Sequence, residues 1–93
     1  MNFLVAIHKD PDSDYGVTVP DLPGCFSAGS TFAEALVMAK EAIELHLEGM
    51  LDDSEEIPTP STDIDSFRAN PDFDDAIWAV VTIDLNWKPS AAA

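Results

Sequence analysis

Thirteen residues, Val19-Pro20-Asp21-Leu22-Pro23-Gly24-Cys25-Phe26-Ser27-Ala28-Gly29-Ser30-Thr31, constrain the fold of this chain more than any other stretch. Proline fixes φ and has no amide hydrogen, so Pro20 and Pro23 cannot both sit in a continuous hydrogen-bonded ladder. Gly24 follows Leu22-Pro23, where a turn with positive φ at the glycine is expected. Cys25 to Ala28 is long enough for one short strand. Thr31-Phe32-Ala33-Glu34 then has the form of a capping box, in which a threonine hydroxyl and a glutamate carboxylate satisfy free amides at a helix start. The chain must therefore leave one strand, turn, lay down another and enter a helix within this span.

The flanking segments read in the same terms. Phe3 to His8 is a nearly continuous apolar run, as a buried strand requires. Tyr15, Val17 and Val19 alternate with Thr18, and the turn formers of Lys9 to Asp14 lie between the two runs, which predicts an antiparallel hairpin. After the cap, Phe32, Leu36, Ala39, Ile43, Leu47 and Met50 recur at three- and four-residue steps and form one apolar stripe. Lys40, Glu41, Glu44 and Glu48 occupy the other side. Val37, Met38 and Leu45 lie off the stripe, where they extend a surface suited to a second subunit. An acidic, proline-bearing link from Asp52 to Thr62 leads to a short helix holding Ile64 and Phe67, ended by Asn70-Pro71. Ala76 to Leu85 is the strongest strand. It is apolar on both faces in its middle, which predicts a central strand covered by a helix. The order is β-β-β-α-(α)-β, an α+β fold with one main helix packed on a small antiparallel sheet. Residues 88–93 read as a linker.

Charge decides which partners suit such a domain. With 18 Asp plus Glu against 4 Lys plus Arg, the net charge is -14 on 93 residues. Such a surface repels phosphate backbones and draws in a basic partner. A single cysteine, Cys25, excludes an internal disulfide and fits a reducing cytoplasm. No apolar run approaches the ~18 residues of a membrane span, and no leader-like pattern opens the chain. A soluble cytoplasmic protein is expected.

Candidate chemistry is thin. Asp10-x-Asp12-x-Asp14 matches the opening of an EF-hand loop, with Asp21 at the twelfth position. The sixth position, however, is Tyr15 where glycine is needed, and strands flank the loop. His8 and His46 lack metal-ligand spacing, and Cys25 has no base near it in sequence, so neither a zinc site nor a thiol nucleophile is expected. Among the carboxylates only Asp84, inside the last apolar strand, has a neighbourhood where burial could raise its pKa, unless alternation along the strand points it outward. A residual metal-dependent hydrolase would have to use Asp84 with the hairpin aspartates. A module serving only oligomerisation is the other alternative. No cofactor is implied.

The span from Tyr15 to Thr31, followed by Ala33-Glu34-Ala35 and Ala39-x-x-Ala42-Ile43, resembles the N-terminal domain of HicB antitoxins. Ile57-Pro58-x-Pro60-Ser61 and Trp78-Ala79-Val80-Val81 extend the resemblance over about residues 2–86. It implies a partial, degraded RNase H-like fold over residues 1–87. It also implies neutralisation of a small basic toxin, HicA, an mRNA interferase with a catalytic histidine. Family members usually add a C-terminal ribbon-helix-helix or helix-turn-helix domain that binds their own operator. Residues 88–93 fall where that domain would begin and read as a linker or as its first residues, so the chain is expected to be either cut short there or a single-domain member, with DNA binding only through such a C-terminal domain. RNase H chemistry requires inward carboxylates, one of them on the first strand, and Phe3 to His8 has none, so no enzymatic activity is expected. The expected toxin contacts are Asp10, Asp12, Asp14, Tyr15, Asp21, Leu22 and Phe26, with Glu41, Glu44 and Glu48 as a second set. A homo-oligomer, dimeric or higher, is expected.

Overall fold

The computed structural model describes residues 1–61 and 63–84. Two strands, β1 (Asn2–Lys9) and β2 (Tyr15–Thr18), form the expected antiparallel hairpin, with Ile7 opposite Val17 and Lys9 opposite Tyr15. The Ser13 side chain closes its turn: the Ser13 amide donates to the Asp10 carbonyl at 3.1 Å, and the Asp10 amide donates to the Ser13 hydroxyl at 3.2 Å. β2 then pairs with β3 (Phe26–Gly29) through two consecutive turns. The Leu22 amide donates to the Val19 carbonyl at 3.1 Å and the Cys25 amide to the Leu22 carbonyl at 2.9 Å, which puts each proline second in its turn. Gly24 has φ 86°, the third-position conformation of a type II turn. The punctuated loop is thus a compact connection in which both prolines escape the ladder.

Helix α1 (Phe32–Asp52) starts where the cap predicts, with the Glu34 amide donating to Thr31 Oγ1 at 3.0 Å. The returning contact differs from the expected box. The Glu34 carboxylate accepts from the Ser30 hydroxyl at 3.0 Å and the Ser30 amide at 3.5 Å, one residue before the cap. Ala35, Ala39, Ile43 and Leu47 are buried against the sheet, and Phe32, Leu36, Ala42 and Met50 flank them half-buried. Two alanines, Ala35 and Ala39, in the N-terminal half of that stripe let the helix lie close to the strands. Gly29 is where it comes closest: a Cβ there would fall 2.4 Å from the Ala35 backbone nitrogen. Phe3, Val5, Ile7, Val17, Val19, Leu22, Cys25, Val81 and Ile83 complete the core. Each large side chain among them contributes about 1.5–3 kcal/mol of transfer free energy.

The sheet order is β3-β2-β1-β4, so β4 (Ile77–Thr82) is an edge strand and β1 lies inside. This corrects the expectation of a central last strand. Its two apolar faces have separate causes. Ala79 and Val81 face the helix with Ile83 just beyond the strand, whereas Trp78 lies on the outer face in an aromatic cluster. Phe67, from the short helix α2 (Ile64–Arg68), stacks on Trp78 at 5.7 Å, and Phe73, from a 3₁₀ turn (Pro71–Phe73), meets it edge-on at 5.4 Å. α2 and the 3₁₀ turn therefore cap the β1–β4 half of the outer face, while Phe26 and Ala28 of β3 are exposed on the other half. The linker expected over residues 88–93 lies outside the described residues, as does Leu85, the expected end of the last strand.

Candidate partner-binding surface

The carboxylates expected to meet a partner do not converge on one patch. Asp10, Asp12 and Asp14 are exposed at the tip of the β1–β2 hairpin. Tyr15 follows them, half-buried and edge-on to Phe32 at 5.9 Å, with Lys9 Nζ 5.6 Å above its ring. Lys9 also donates to the Asp10 carbonyl at 3.2 Å, so a rare cation is folded back onto the acidic turn. Asp21 sits at the opposite end of β2, in the loop to β3. It is half-buried, and its carboxylate accepts from the Ser61 amide at 2.7 Å, forty residues away. Asp21 is thus already engaged in holding the 57–61 segment against the loop.

Leu22 is 1% exposed and belongs to the core, which corrects its assignment as a contact residue: its loop turns the side chain inward between Val19 and Cys25. Phe26 has the opposite placement. It is 67% exposed on the outer face, in a cross-strand row with Thr18, Ala6 and Trp78. On α1, Glu41 is exposed and Glu44 and Glu48 are half-buried. Val37, Met38 and Leu45 are exposed, as their positions off the stripe predict.

The geometry separates the groups a metal-dependent hydrolase would need. Asp84 is exposed beyond the Asn2 end of β1, and the hairpin aspartates follow the Lys9 end. A strand of that length holds the two sets roughly 25 Å apart. Among the described residues, no group of three or more His, Cys, Asp or Glu side chains is placed to hold a metal ion. Of the two placements left open for Asp84, the exposed one is found. Cys25 is buried, and desolvation pushes its thiol pKa up, which disfavours the thiolate that a nucleophile needs. No helix among the described residues is long and apolar enough to cross a membrane.

Sequence reasoning missed two features of the outer face. One is the cluster of Phe67, Phe73 and Trp78, which brings together residues from three elements and has no local signal. The other is a shallow apolar cavity of about 230 Å³, lined by Asn2, Leu4, Ser61, Ile64 and Val80 beside the edge strand. The uncharged run from Ile77 to Thr82 was its visible trace.

Comparison with known proteins gives this surface its context. A family model described as the HicB-like antitoxin of bacterial toxin-antitoxin systems matches residues 3–91. An uncharacterized 14.9 kDa protein from the rep-hol intergenic region of Haemophilus phage HP1 is 49% identical over 85 residues, covering 91% of this chain and 62% of the phage protein. The crystal structure of the Burkholderia pseudomallei antitoxin HicB superposes with a TM-score of 0.82 at 40% identity, over 91% of this chain and 64% of that one. A chain of the HicA3 and HicB3 toxin-antitoxin complex superposes with a TM-score of 0.75 at 30% identity, over 90% of this chain and 99% of that one. The chain spans less than two thirds of the phage protein and of the Burkholderia antitoxin. Its sequence and its fold agree, and the chain belongs to the HicB-like antitoxin family of bacterial toxin-antitoxin systems.

Proposed function

We propose that this chain is the toxin-neutralising domain of a type II antitoxin, which binds a small basic HicA-type mRNA interferase and blocks it without chemistry of its own. The observation that carries this reading is the match to a chain of the HicA3 and HicB3 complex, which extends over nearly all of both chains. The net charge of -14 supports it, because opposite charge accelerates encounter with a basic protein. Affinity then comes from desolvated apolar anchors rather than from the carboxylates.

The proposed first contacts are Asp10, Asp12, Asp14 and Tyr15 at the hairpin tip and Phe26 on the outer face. Asp21 contributes charge from its half-buried position, and Glu41, Glu44 and Glu48 form the second set. The domain comprises residues 1–87, and operator binding is not assigned to it. Self-association of the domain in the cytoplasm, through Val37, Met38 and Leu45 of α1, accompanies toxin binding in this reading.

A pull-down with the cognate HicA-type toxin tests the reading. Wild-type chain should retain the toxin, and neutralising the hairpin aspartates should weaken retention. If neither the hairpin nor the helix variants changed retention, the assigned contacts would be wrong. If wild-type chain retained nothing, the function would be.

A further inference from the structure

Among the described residues, no strand pairs with the outer edge of β4. Met1 and Ile83 exchange both backbone hydrogen bonds, each 2.7 Å long, which fixes the phase of the β1–β4 ladder. In an antiparallel pair such residues alternate, so Ile77, Ala79 and Val81 turn their amides and carbonyls toward β1. Trp78, Val80 and Thr82 turn theirs away, and no described residue bonds to them there.

Edge strands are normally blunted by charge, proline or a bulge. Ile77 to Thr82 carries no charge and no proline, and its register with β1 is unbroken. Ile77 is 51% exposed and Val80 55%. Beside Val80 on the outer face lies the apolar cavity lined by Leu4 and Ile64. Open backbone groups with a side-chain pocket next to them are what strand addition uses: the main chain supplies affinity and the pocket selects the side chain.

We propose that β4 accepts an extended strand from the basic protein partner, with an apolar residue of that strand lying opposite Val80 and over the Leu4–Ile64 cavity. Charge selects this occupant over a second copy of the chain. Two copies pairing Val80 with Val80 and Trp78 with Thr82 would put Asp84 of each opposite Ala76 of the other, one position from Asp75, so that like charges would meet at both ends of this edge. A basic strand relieves that same repulsion. The proposal rests on the toxin-binding reading above and adds to it the place and mode of docking.

Amide hydrogen exchange of the whole chain, alone and with cognate HicA-type toxin inactivated at its catalytic histidine, reads the edge directly. The Trp78, Val80 and Thr82 amides should exchange fast in the free chain and about a hundredfold more slowly in the complex. Two variants accompany it. Val80→Pro removes an amide that β1 does not use, and Val80→Glu keeps the backbone while adding a charge that attracts a basic protein. Both should weaken toxin binding about tenfold or more by calorimetry, the second despite its favourable charge. Val80→Glu keeps the test valid if the proline variant does not fold.

Toxin binding without protection of these amides, or full affinity in Val80→Glu, overturns the docking mode and leaves the toxin-binding reading standing. Concentration-dependent protection without toxin also overturns it, in favour of a second copy. Absence of toxin binding by the wild-type chain overturns both.

Discussion

The Asp21 carboxylate accepts a hydrogen bond from the Ser61 amide at 2.7 Å, joining the β2–β3 loop to the segment that leads into α2. The bond is charge-assisted and partly buried, a class that contributes about 1.5–3 kcal/mol. Asp21→Ala should therefore destabilise the chain by about 1–2 kcal/mol once solvent screening is allowed for. Asp21→Asn, which keeps an acceptor, should cost less. Chemical denaturation of the three proteins reads this order, and faster exchange of the Ser61 amide in Asp21→Ala would locate the loss.

Gly29 is required for its size. Its missing Cβ leaves room for the Ala35 backbone, so Gly29→Ala must push β3 away from α1. Overpacking of this kind costs about 1–3 kcal/mol, and the upper end applies because the opposing atoms are rigid helix backbone. Gly24→Ala meets no atom within 4 Å but strains a backbone at φ 86°, at about 1–2 kcal/mol. Thermal unfolding should show the larger drop in midpoint for Gly29→Ala.

Cys25 makes stability depend on alkaline pH. Burial raises its thiol pKa above the 9.0 of an exposed thiol, so the unfolded chain ionises first as pH rises. Above pH 9 the unfolded state binds fewer protons than the folded one, and unfolding becomes easier. The stabilisation is complete below pH 9 and is lost as pH climbs toward the folded-state pKa. Cys25→Ala should flatten that decline in a series of melts from pH 8 to 10.5. In the wild type, thiol reagents should modify Cys25 only at the rate of unfolding.

The hairpin aspartates should act on the speed of association more than on its lifetime. Asp10→Asn, Asp12→Asn and Asp14→Asn together remove three exposed charges from one turn. Stopped-flow mixing with the toxin should show an association rate roughly tenfold lower at low salt, converging with wild type as salt rises, and a dissociation rate little changed. An equal change in both rates at all salt concentrations would place these residues in the desolvated interface instead.

Much of the fold was legible because local chemistry and global packing agree in it. Thr31 and Glu34 marked the helix start, and the spacing from Ala39 to Leu47 marked its buried side. Leu22-Pro23-Gly24 specified its turn outright. What escaped depends on contacts between distant residues. A strand that is apolar on both faces reads as central, but β4 has that pattern at an edge because Phe67 and Phe73 cover Trp78. Ser30 takes the Glu34 carboxylate because the chain before the cap bends within reach of it, which spacing alone does not encode. Leu22 lies in a loop, and its inward direction follows from the turns on either side. The acidic surface was visible in composition, while the engagement of Asp21 with the Ser61 amide rests on a contact between residues forty positions apart.

Under the proposed function the chain neutralises a toxin by binding it. The most direct measurement is RNA cleavage by the active cognate HicA-type toxin, titrated with this chain. Stoichiometric binding predicts that cleavage falls in proportion to added chain and ends at one domain per toxin. Undiminished cleavage at several-fold excess of folded chain would contradict the account.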